Sequence, residues 1–175
     1  MSHLYIDESK AKGYTLVAAV VVPGDVLAVR KEIAKLRKNG QRRVHFVKED
    51  DSRRREIIST FIDLGVQAHL YHAQGMTEAE GREACLAALV AAAAASDTDR
   101  IVLEKDESIE TWDRQVMFRE LGKHRARDLI TYQHEAAHDE PLLWIPDGIA
   151  WSYSRGGDWR RRVSGLIVDV TELGR

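Results

Sequence analysis

The stretch HLYIDESKAKGYTLVAAVVV, residues 3–22, decides the fold expected for this chain. Residues 3–8 carry apolar side chains at alternate positions, which is the pattern of a β-strand. Residues 14–22 are apolar almost throughout, which is typical of a strand covered on both faces. The link between them, residues 9–13, is short and polar and ends in glycine. The stretch therefore predicts an antiparallel β-hairpin at the start of the chain.

After the hairpin, helical and strand patterns alternate along the rest of the chain. This order predicts one mixed β-sheet with helices packed on it, which is an α/β fold. The absence of a repeat or linker indicates a single domain spanning residues 1–175. The predicted helices cover residues 25–38, 51–65, 77–95, 108–124 and 146–154, and the further strands cover residues 44–47, 66–72, 100–104, 129–134 and 167–170.

The composition is that of a folded protein in a reducing compartment. Hydrophobic residues make up 44% of the 175 residues and charged residues 31%, which does not fit a disordered chain. Cys85 is the one cysteine, so no intramolecular disulfide can form. The N-terminus lacks an apolar leader, and the longest apolar run, residues 87–95, is too short to span a bilayer. We therefore expect a cytoplasmic protein without membrane contact, whose oligomeric state the sequence leaves open.

Basic residues are clustered, although the net charge is only −2. Seven basic residues and one acidic residue lie within residues 30–43, Arg53 opens a run of three arginines, and a third cluster lies within residues 155–162. Such stripes can follow a phosphate backbone even on a protein without overall positive charge. Nucleic acid is therefore a candidate partner, and Arg43, His45 and Arg53 are candidate substrate-binding residues. The alternative is that each cluster is the solvated face of a helix.

Three carboxylates stand where a sheet protein would not place them for stability. Asp7 follows the apolar part of the first strand, Glu104 directly follows Ile-Val-Leu, and Asp147 lies in the apolar stretch of residues 142–151. Each carboxylate taken alone has a simpler explanation. Asp147 would complement the dipole at the start of a helix, and Glu104 would face water at the end of a strand. A lone charge in an apolar stretch is nevertheless costly to bury. Taken together, the three carboxylates predict a site for a hard divalent cation such as Mg²⁺ or Mn²⁺.

Two motifs resemble the domain-of-unknown-function 3800 family. Its members typically begin with a strand ending in Asp-Glu-Ser, as residues 7–9 do here, and carry a later Leu-rich segment that leads into a helix with an Asp and, three residues on, an Ala. Asp147 and Ala150 match that second signature, and His45 matches a weaker feature, a His in a short strand ahead of a helix. The resemblance implies a ribonuclease H-like mixed sheet with a nuclease-type metal site.

The chain departs from the family pattern at three positions. Arg43 stands where members often carry an acidic residue, a change that would remove a ligand or replace it with a phosphate contact. Trp144 and Pro146 stand where members often carry Gln and Ala, a change that would alter the floor of the site. The resemblance implies that the catalytic and metal-binding residues are Asp7, Glu104 and Asp147, with Glu8, Asp106 and Glu107 in reserve.

Two functions are consistent with these patterns. The first is a metal-dependent nuclease that hydrolyses phosphodiester bonds with Mg²⁺ or Mn²⁺ held by the carboxylates, with RNA, DNA and hybrid all open as substrates. The second is a non-catalytic ribonuclease H-like module that binds nucleic acid or a protein partner, which the departures from the family pattern favour.

A third pattern, His134-Glu-Ala-Ala-His138, matches the H-E-x-x-H signature of zinc metalloproteases. That signature needs a helix, because only a helix puts both histidines on one side of the metal. The residues before His134 predict a strand, and Pro141 follows closely. The pattern therefore does not favour a zinc site.

Overall fold

The N-terminal hairpin forms the centre of a six-stranded mixed sheet. In this computed structural model, which describes residues 1–174, the first two strands pair antiparallel with Asp7 opposite Val17, as the sequence predicts. The strands are β1 (Ser2–Ser9), β2 (Tyr14–Val21), β3 (Gln67–Gln74), β4 (Thr98–Glu104), β5 (Thr131–Glu135) and β6 (Ile167–Gly174). Their order across the sheet is β5-β4-β1-β2-β3-β6.

Five of the six strands run in the same direction. β1 pairs parallel with β4, β4 with β5, and β3 with β6, whereas β2 is antiparallel to both β1 and β3. The C-terminal ends of all strands except β2 therefore lie along one edge of the sheet, which we name the C-terminal edge. In open α/β sheets this is the edge at which binding sites form.

Helices cover both faces of the sheet, and each face has its own apolar core. One core contains Ile33, Ile57, Phe61, Ile145 and Ile149 from the first, second and fifth helices, and the other contains buried residues of the third and fourth helices. The helices are α1 (Val26–Ala34), α2 (Asp51–Asp63), α3 (Glu78–Ala94), α4 (Glu110–Lys123), α5 (Trp144–Arg155) and α6 (Gly157–Ser164). We name the side of the first core the α5 face and the side of the second core the α3–α4 face.

Strand alternation separates Asp7 from Glu8. Tyr5 belongs to the core on the α5 face, whereas Leu4 and Ile6 belong to the core on the α3–α4 face. Because successive side chains of a strand point to opposite faces, Asp7 lies on the α5 face and Glu8 on the α3–α4 face.

The strand predicted at residues 44–47 is wrong, because the segment forms a 3₁₀ turn over Phe46–Lys48 instead. Backbone groups of this segment bond to side chains and not to a neighbouring strand. The N–H of Phe46 donates to Asp147, and the guanidinium of Arg54 donates to the carbonyls of Phe46 and Val47. The ring of Phe46 is fully buried.

Two helices differ from the sequence prediction. α1 begins after a 3₁₀ turn at Pro23–Asp25 and ends at Ala34, four residues before the predicted end. α6 has no counterpart in the prediction, because Val163 is its one buried residue and three consecutive arginines obscure its pattern. Within the described residues, no helix combines the length and the apolar character needed to cross a membrane.

Candidate active site

Parallel pairing of β1 with β4 brings two of the predicted carboxylates side by side. Ile6 pairs with Leu103, so Asp7 and Glu104 are the next residues on neighbouring strands at the C-terminal edge. Val102 belongs to the core on the α5 face, so Glu104, two residues later, lies on the same face as Asp7.

Asp147 reaches this edge from the first turn of α5. A Cβ atom at the next residue, Gly148, would lie 3.0 Å from ring carbons of both Phe46 and Phe61, so glycine allows α5 to pack closely on these rings. In that position the N–H of Phe46 donates to Oδ2 of Asp147 at 3.0 Å. Trp144, one of the departures from the family pattern, is buried and donates its indole N–H to the carbonyl of Ala137.

Arg43 lies between two of the carboxylates. Its Nη1 donates to Oε1 of Glu104 at 2.8 Å, and its Nη2 lies 3.7 Å from Oδ2 of Asp147. Its Nε donates to the carbonyl of Val44, which anchors the guanidinium. We name Asp7, Glu104 and Asp147, together with Arg43, the carboxylate cluster. Arg43 stands in it where the family pattern has an acidic residue.

The cluster contains more negative than positive charge. Asp7 is 7% exposed, and burial together with the negative charges of Asp147, Glu104 and Glu8 raises its pKa well above the ordinary value. Burial also raises the pKa of Asp147, although the N–H of Phe46 and the charges of Arg43 and His45 act in the opposite direction. The guanidinium of Arg43 therefore reaches two of the three carboxylates, Glu104 and Asp147.

The remaining predicted site residues lie at different distances from the cluster. His45 is close enough to Asp147 to influence its ionisation. Arg53 is outside the cluster, where it pairs with Glu49 and Glu56 and donates to the carbonyl of Leu36. The first basic cluster is likewise engaged in part within the fold, since Arg30 forms a bidentate pair with Glu140.

The reserve carboxylates line an opening beside the cluster. A cavity of about 490 Å³ is lined by Glu8, Glu104, Asp106 and Glu107, together with Arg82 from α3. Asp106 accepts hydrogen bonds from the N–H and hydroxyl of Ser108, which lower its pKa. The cavity therefore gives solvent and ligands access to the C-terminal edge at Glu8 and Glu104.

The carboxylates fit a hard divalent cation in their chemistry but not in their present arrangement. All are oxygen donors of the kind that Mg²⁺ and Mn²⁺ take in proteins. Among residues 1–174, however, no three His, Cys, Asp or Glu side chains are arranged to hold a metal ion. Arg43 is bonded to Glu104 and lies near Asp147. A divalent cation at this position therefore requires Arg43 to move.

A second buried polar cluster, on the α3–α4 face, was not predicted from the sequence. Arg82 donates to both carboxylate oxygens of Asp113 at 2.7 Å and to the hydroxyl of Tyr14 at 2.6 Å. Its guanidinium also lies 3.4 Å from Glu8. The charged residues of this cluster are far apart in the sequence, and the one available signal was an arginine within the alanine-rich helix.

The H-E-x-x-H pattern does not form a zinc site. His134 lies on β5, and the residues after Glu135 form a turn, so the two histidines do not share a helical face. Nε2 of His134 lies 3.2 Å from Oδ2 of Asp113, and His138 is exposed beside Asp139. His134 is thus a member of the Arg82 cluster.

The fold is similar to that of a known ribonuclease. A chain in the structure of the PCNA:RNase HII complex from Archaeoglobus fulgidus matches with a TM-score of 0.58 and 16% sequence identity, covering 95% of this chain and 76% of that chain. At this identity the likeness shows the fold alone, and it confirms the predicted ribonuclease H-like fold. No family model and no curated protein matches the chain, so the resemblance to the domain-of-unknown-function 3800 family stays a prediction.

Proposed function

We propose that the chain is a divalent-metal-dependent nuclease that hydrolyses phosphodiester bonds at the C-terminal edge of its sheet. The observation that carries the proposal is the grouping of three carboxylates: Asp7 lies beside Glu104 on the neighbouring strand, and Arg43 bonds to Glu104 and lies 3.7 Å from Asp147. The charges of Glu104 and Asp147 both raise the pKa of Asp7. Carboxylates that repel one another are kept close only where a cation offsets their charge or one of them holds a proton. The ribonuclease H-like fold and the cavity lined by Glu104 support the same conclusion.

Asp7, Glu104 and Asp147 would hold Mg²⁺ or Mn²⁺ after Arg43 has left Glu104. When bound, such a cation supplies Lewis-acid activation for hydrolysis of the phosphodiester. The freed guanidinium of Arg43 can form charge-assisted hydrogen bonds with phosphate oxygens. Arg43 and His45 also line a cavity of about 260 Å³ with Arg42 and Lys48, so this side of the cluster is suited to a nucleic-acid backbone.

The second candidate function is a non-catalytic module that binds nucleic acid. The position of Arg43 favours it, because a guanidinium bonded to Glu104 and close to Asp147 supplies positive charge where a catalytic metal would otherwise be held. In that case the carboxylates position Arg43, and the protein binds a strand without cutting it.

Cleavage assays on labelled RNA, DNA and hybrid, each in Mg²⁺, Mn²⁺ or EDTA, separate the two functions. The nuclease proposal predicts cleavage that needs the metal and is lost in Asp147→Asn. Asp63→Asn is the matched control, because Asp63 is exposed at the end of α2, and it should cleave like the wild type.

The outcomes differ sharply. Metal-dependent cleavage that Asp147→Asn retains would reject the assignment of the site. Binding of the same substrates without any cleavage, by protein shown to be folded, would replace the nuclease by the binding module.

A further inference from the structure

Two adjoining cavities lie at the far end of α5 from Asp147. One, of about 250 Å³, is lined by Thr15, His72, Tyr153 and Arg160 among others, and the second is about 260 Å³. Both are also lined by Ser154 and Lys12, so we name them together the Ser154 pocket. A water takes about 30 Å³ in the liquid, so the pocket has room for a larger group.

Ser154 has an unsatisfied hydroxyl at this pocket. The residue is 6% exposed, and its Oγ has no hydrogen-bond partner among the described residues. Ser152, two residues earlier in α5, shows the usual arrangement, since its Oγ donates to the carbonyl of Gly148 at 2.8 Å. A buried hydroxyl without a partner costs free energy, and a ligand with acceptor oxygens would provide the missing hydrogen bond.

The polar wall of the pocket also offers donors. The amide nitrogen of Gln74, which can only donate, lies 2.9 Å from Nε2 of His72, so that ring nitrogen accepts. With Nε2 accepting, Nδ1 donates to Oγ1 of Thr15 at 2.7 Å. The hydroxyl proton of Thr15 is left free to donate. Gly13 packs against this wall, since a Cβ atom there would lie 3.1 Å from Cε1 of His72.

Cations surround the pocket. Lys12, Arg155 and Arg160 line it, against one carboxylate, that of Glu172. Within residues 1–174, none of the three cations has a carboxylate oxygen within 4.0 Å, in contrast to Arg161 and Arg162 of the same basic cluster, which pair with Asp158. The pocket therefore has an excess of positive charge that no ion pair offsets, which is suited to an anion.

The pocket and the carboxylate cluster lie on the same face and at the same edge of the sheet. Val17 is the partner of Asp7, and Thr15 lies two residues before Val17 in β2, toward this edge. Its Cα therefore lies roughly 8 Å from that of Asp7. Ser154 and Asp147 are seven residues apart in α5, so they share one side of the helix. A nucleic-acid strand carries a phosphate about every 3.4 Å of helix axis, so a strand at the carboxylates also reaches the pocket.

From these observations we infer that the Ser154 pocket binds a phosphate of a nucleic-acid strand next to the carboxylate cluster. Lys12 and Arg160 supply charge, and the hydroxyls of Ser154 and Thr15 donate to the phosphate oxygens. The inference rests on the proposed function, because it identifies the group that the pocket binds as part of the substrate strand. It applies equally to the nuclease and to the binding module.

Binding without metal tests the inference separately from catalysis. The probe is a fluorescein-labelled oligothymidylate of about 12 nucleotides, measured by fluorescence anisotropy in EDTA. Lys12→Glu and Arg160→Glu should each weaken binding about 10-fold, and Ser154→Ala should weaken it about 3-fold. Loss of one phosphate contact should also reduce the slope of log K against log salt concentration by about 0.7. The matched control is Arg100→Glu, because Arg100 is exposed and lies at the other end of the sheet, where its backbone position on β4 is paired with that of His3 on β1.

Two results would overturn the inference. In the first, Lys12→Glu and Arg160→Glu bind the oligonucleotide with the same affinity as the wild type and Arg100→Glu. That result rejects the pocket, and it leaves metal-dependent cleavage as a separate question. The second is no binding of the oligonucleotide, with inorganic phosphate alone raising the melting temperature, which makes the ligand a small phosphate compound. Lys12→Glu provides an independent arm if Arg160→Glu does not fold, because Lys12 is exposed whereas Arg160 donates to the carbonyl of Tyr153.

Discussion

Asp7 and Asp113 are both buried carboxylates, but they lie on opposite faces of the sheet in opposite electrostatic surroundings. Asp113 is 0% exposed, and burial alone would raise its pKa. The hydrogen bonds from Arg82 and His134, with the charge of Arg82, outweigh burial and lower that pKa. Asp7 has a 2.8 Å hydrogen bond from the N–H of Glu8, while burial and neighbouring carboxylates raise its pKa.

The difference separates a carboxylate that supports the fold from one suited to a ligand. A buried ion pair with its hydrogen bonds satisfied has no need of an external cation, and breaking it leaves an uncompensated charge. A buried carboxylate with too little positive charge around it destabilises the fold until a cation or proton arrives. We therefore regard the Arg82 cluster as structural and the carboxylate cluster as functional, and the following predictions test that distinction.

The largest effect is expected from Arg82→Met, which keeps much of the volume but removes the positive charge. Asp113 and Glu8 would lose their cation, and the free energy of unfolding should fall by about 3–5 kcal/mol. Urea denaturation measures the change. The exposed pair of Arg114 with Glu110 provides a control, since Arg114→Met should cost less than about 1 kcal/mol. Equal losses in both variants would remove the basis for calling the Arg82 cluster structural.

Asp7→Asn should have the opposite sign in metal-free protein. The amide oxygen still accepts from the N–H of Glu8, while the charge that repels Asp147 and Glu104 is gone. The free energy of unfolding should rise by roughly 1–2 kcal/mol, as when other buried charges are replaced by neutral groups. The same variant should lose any Mn²⁺-dependent rise in melting temperature. A destabilised Asp7→Asn in EDTA would contradict the proposed charge imbalance.

Arg43→Met sharpens the comparison, because it removes the one guanidinium from the carboxylate cluster. Glu104 and Asp147 would then be available to a cation, and Mn²⁺ affinity should rise about 10-fold, or ~1.4 kcal/mol. Isothermal titration calorimetry or electron paramagnetic resonance of Mn²⁺ measures this affinity. Arg30→Met is the matched control, since it breaks the arginine–carboxylate pair with Glu140 on the same face. A fall in affinity would mean that Arg43 organises the site for the metal.

The smallest effect concerns acid stability. Folding lowers the pKa of Asp113, so its contribution to stability is fully present above the unfolded value of about 3.9 and is lost as the pH falls through the folded value. The difference in free energy of unfolding between the wild type and Asp113→Asn should therefore shrink below about pH 4, by on the order of 1 kcal/mol. A difference that stays constant from pH 6 to about pH 3 would show that this carboxylate does not have a lowered pKa.

Local patterns predicted local structure well. The alternation in β1 located Asp7 at a strand end. The start of the third predicted helix is also readable from a local pattern, since Thr77 and Glu80 have the spacing of a capping box and are bonded reciprocally at 3.2 and 2.8 Å. These signals lie within a few residues, so the sequence contains them directly. The catalytic and metal-binding roles of Asp7, Glu104 and Asp147 stay a prediction that the experiments above address.

Long-range pairing was not predictable. Arg82 meets Asp113 across 31 residues and Tyr14 across 68, and Arg43 meets Glu104 across 61. No periodicity connects such positions, because they meet only once the sheet and helices have packed. The wrong strand at residues 44–47 has the same origin, since the partner of the Phe46 N–H is a carboxylate 101 residues away.

Asp7 and Glu8 are neighbours in sequence that serve two different chemical environments. An insertion of one residue in β1 ahead of Asp7 would turn each side chain to the other face of the sheet. Glu8 would then stand beside Glu104, and Asp7 beside Arg82. Both the carboxylate cluster and the Arg82 cluster would be disturbed. This strand should therefore tolerate no change in length, whereas the hairpin loop of residues 10–13 can vary in length without exchanging the two environments.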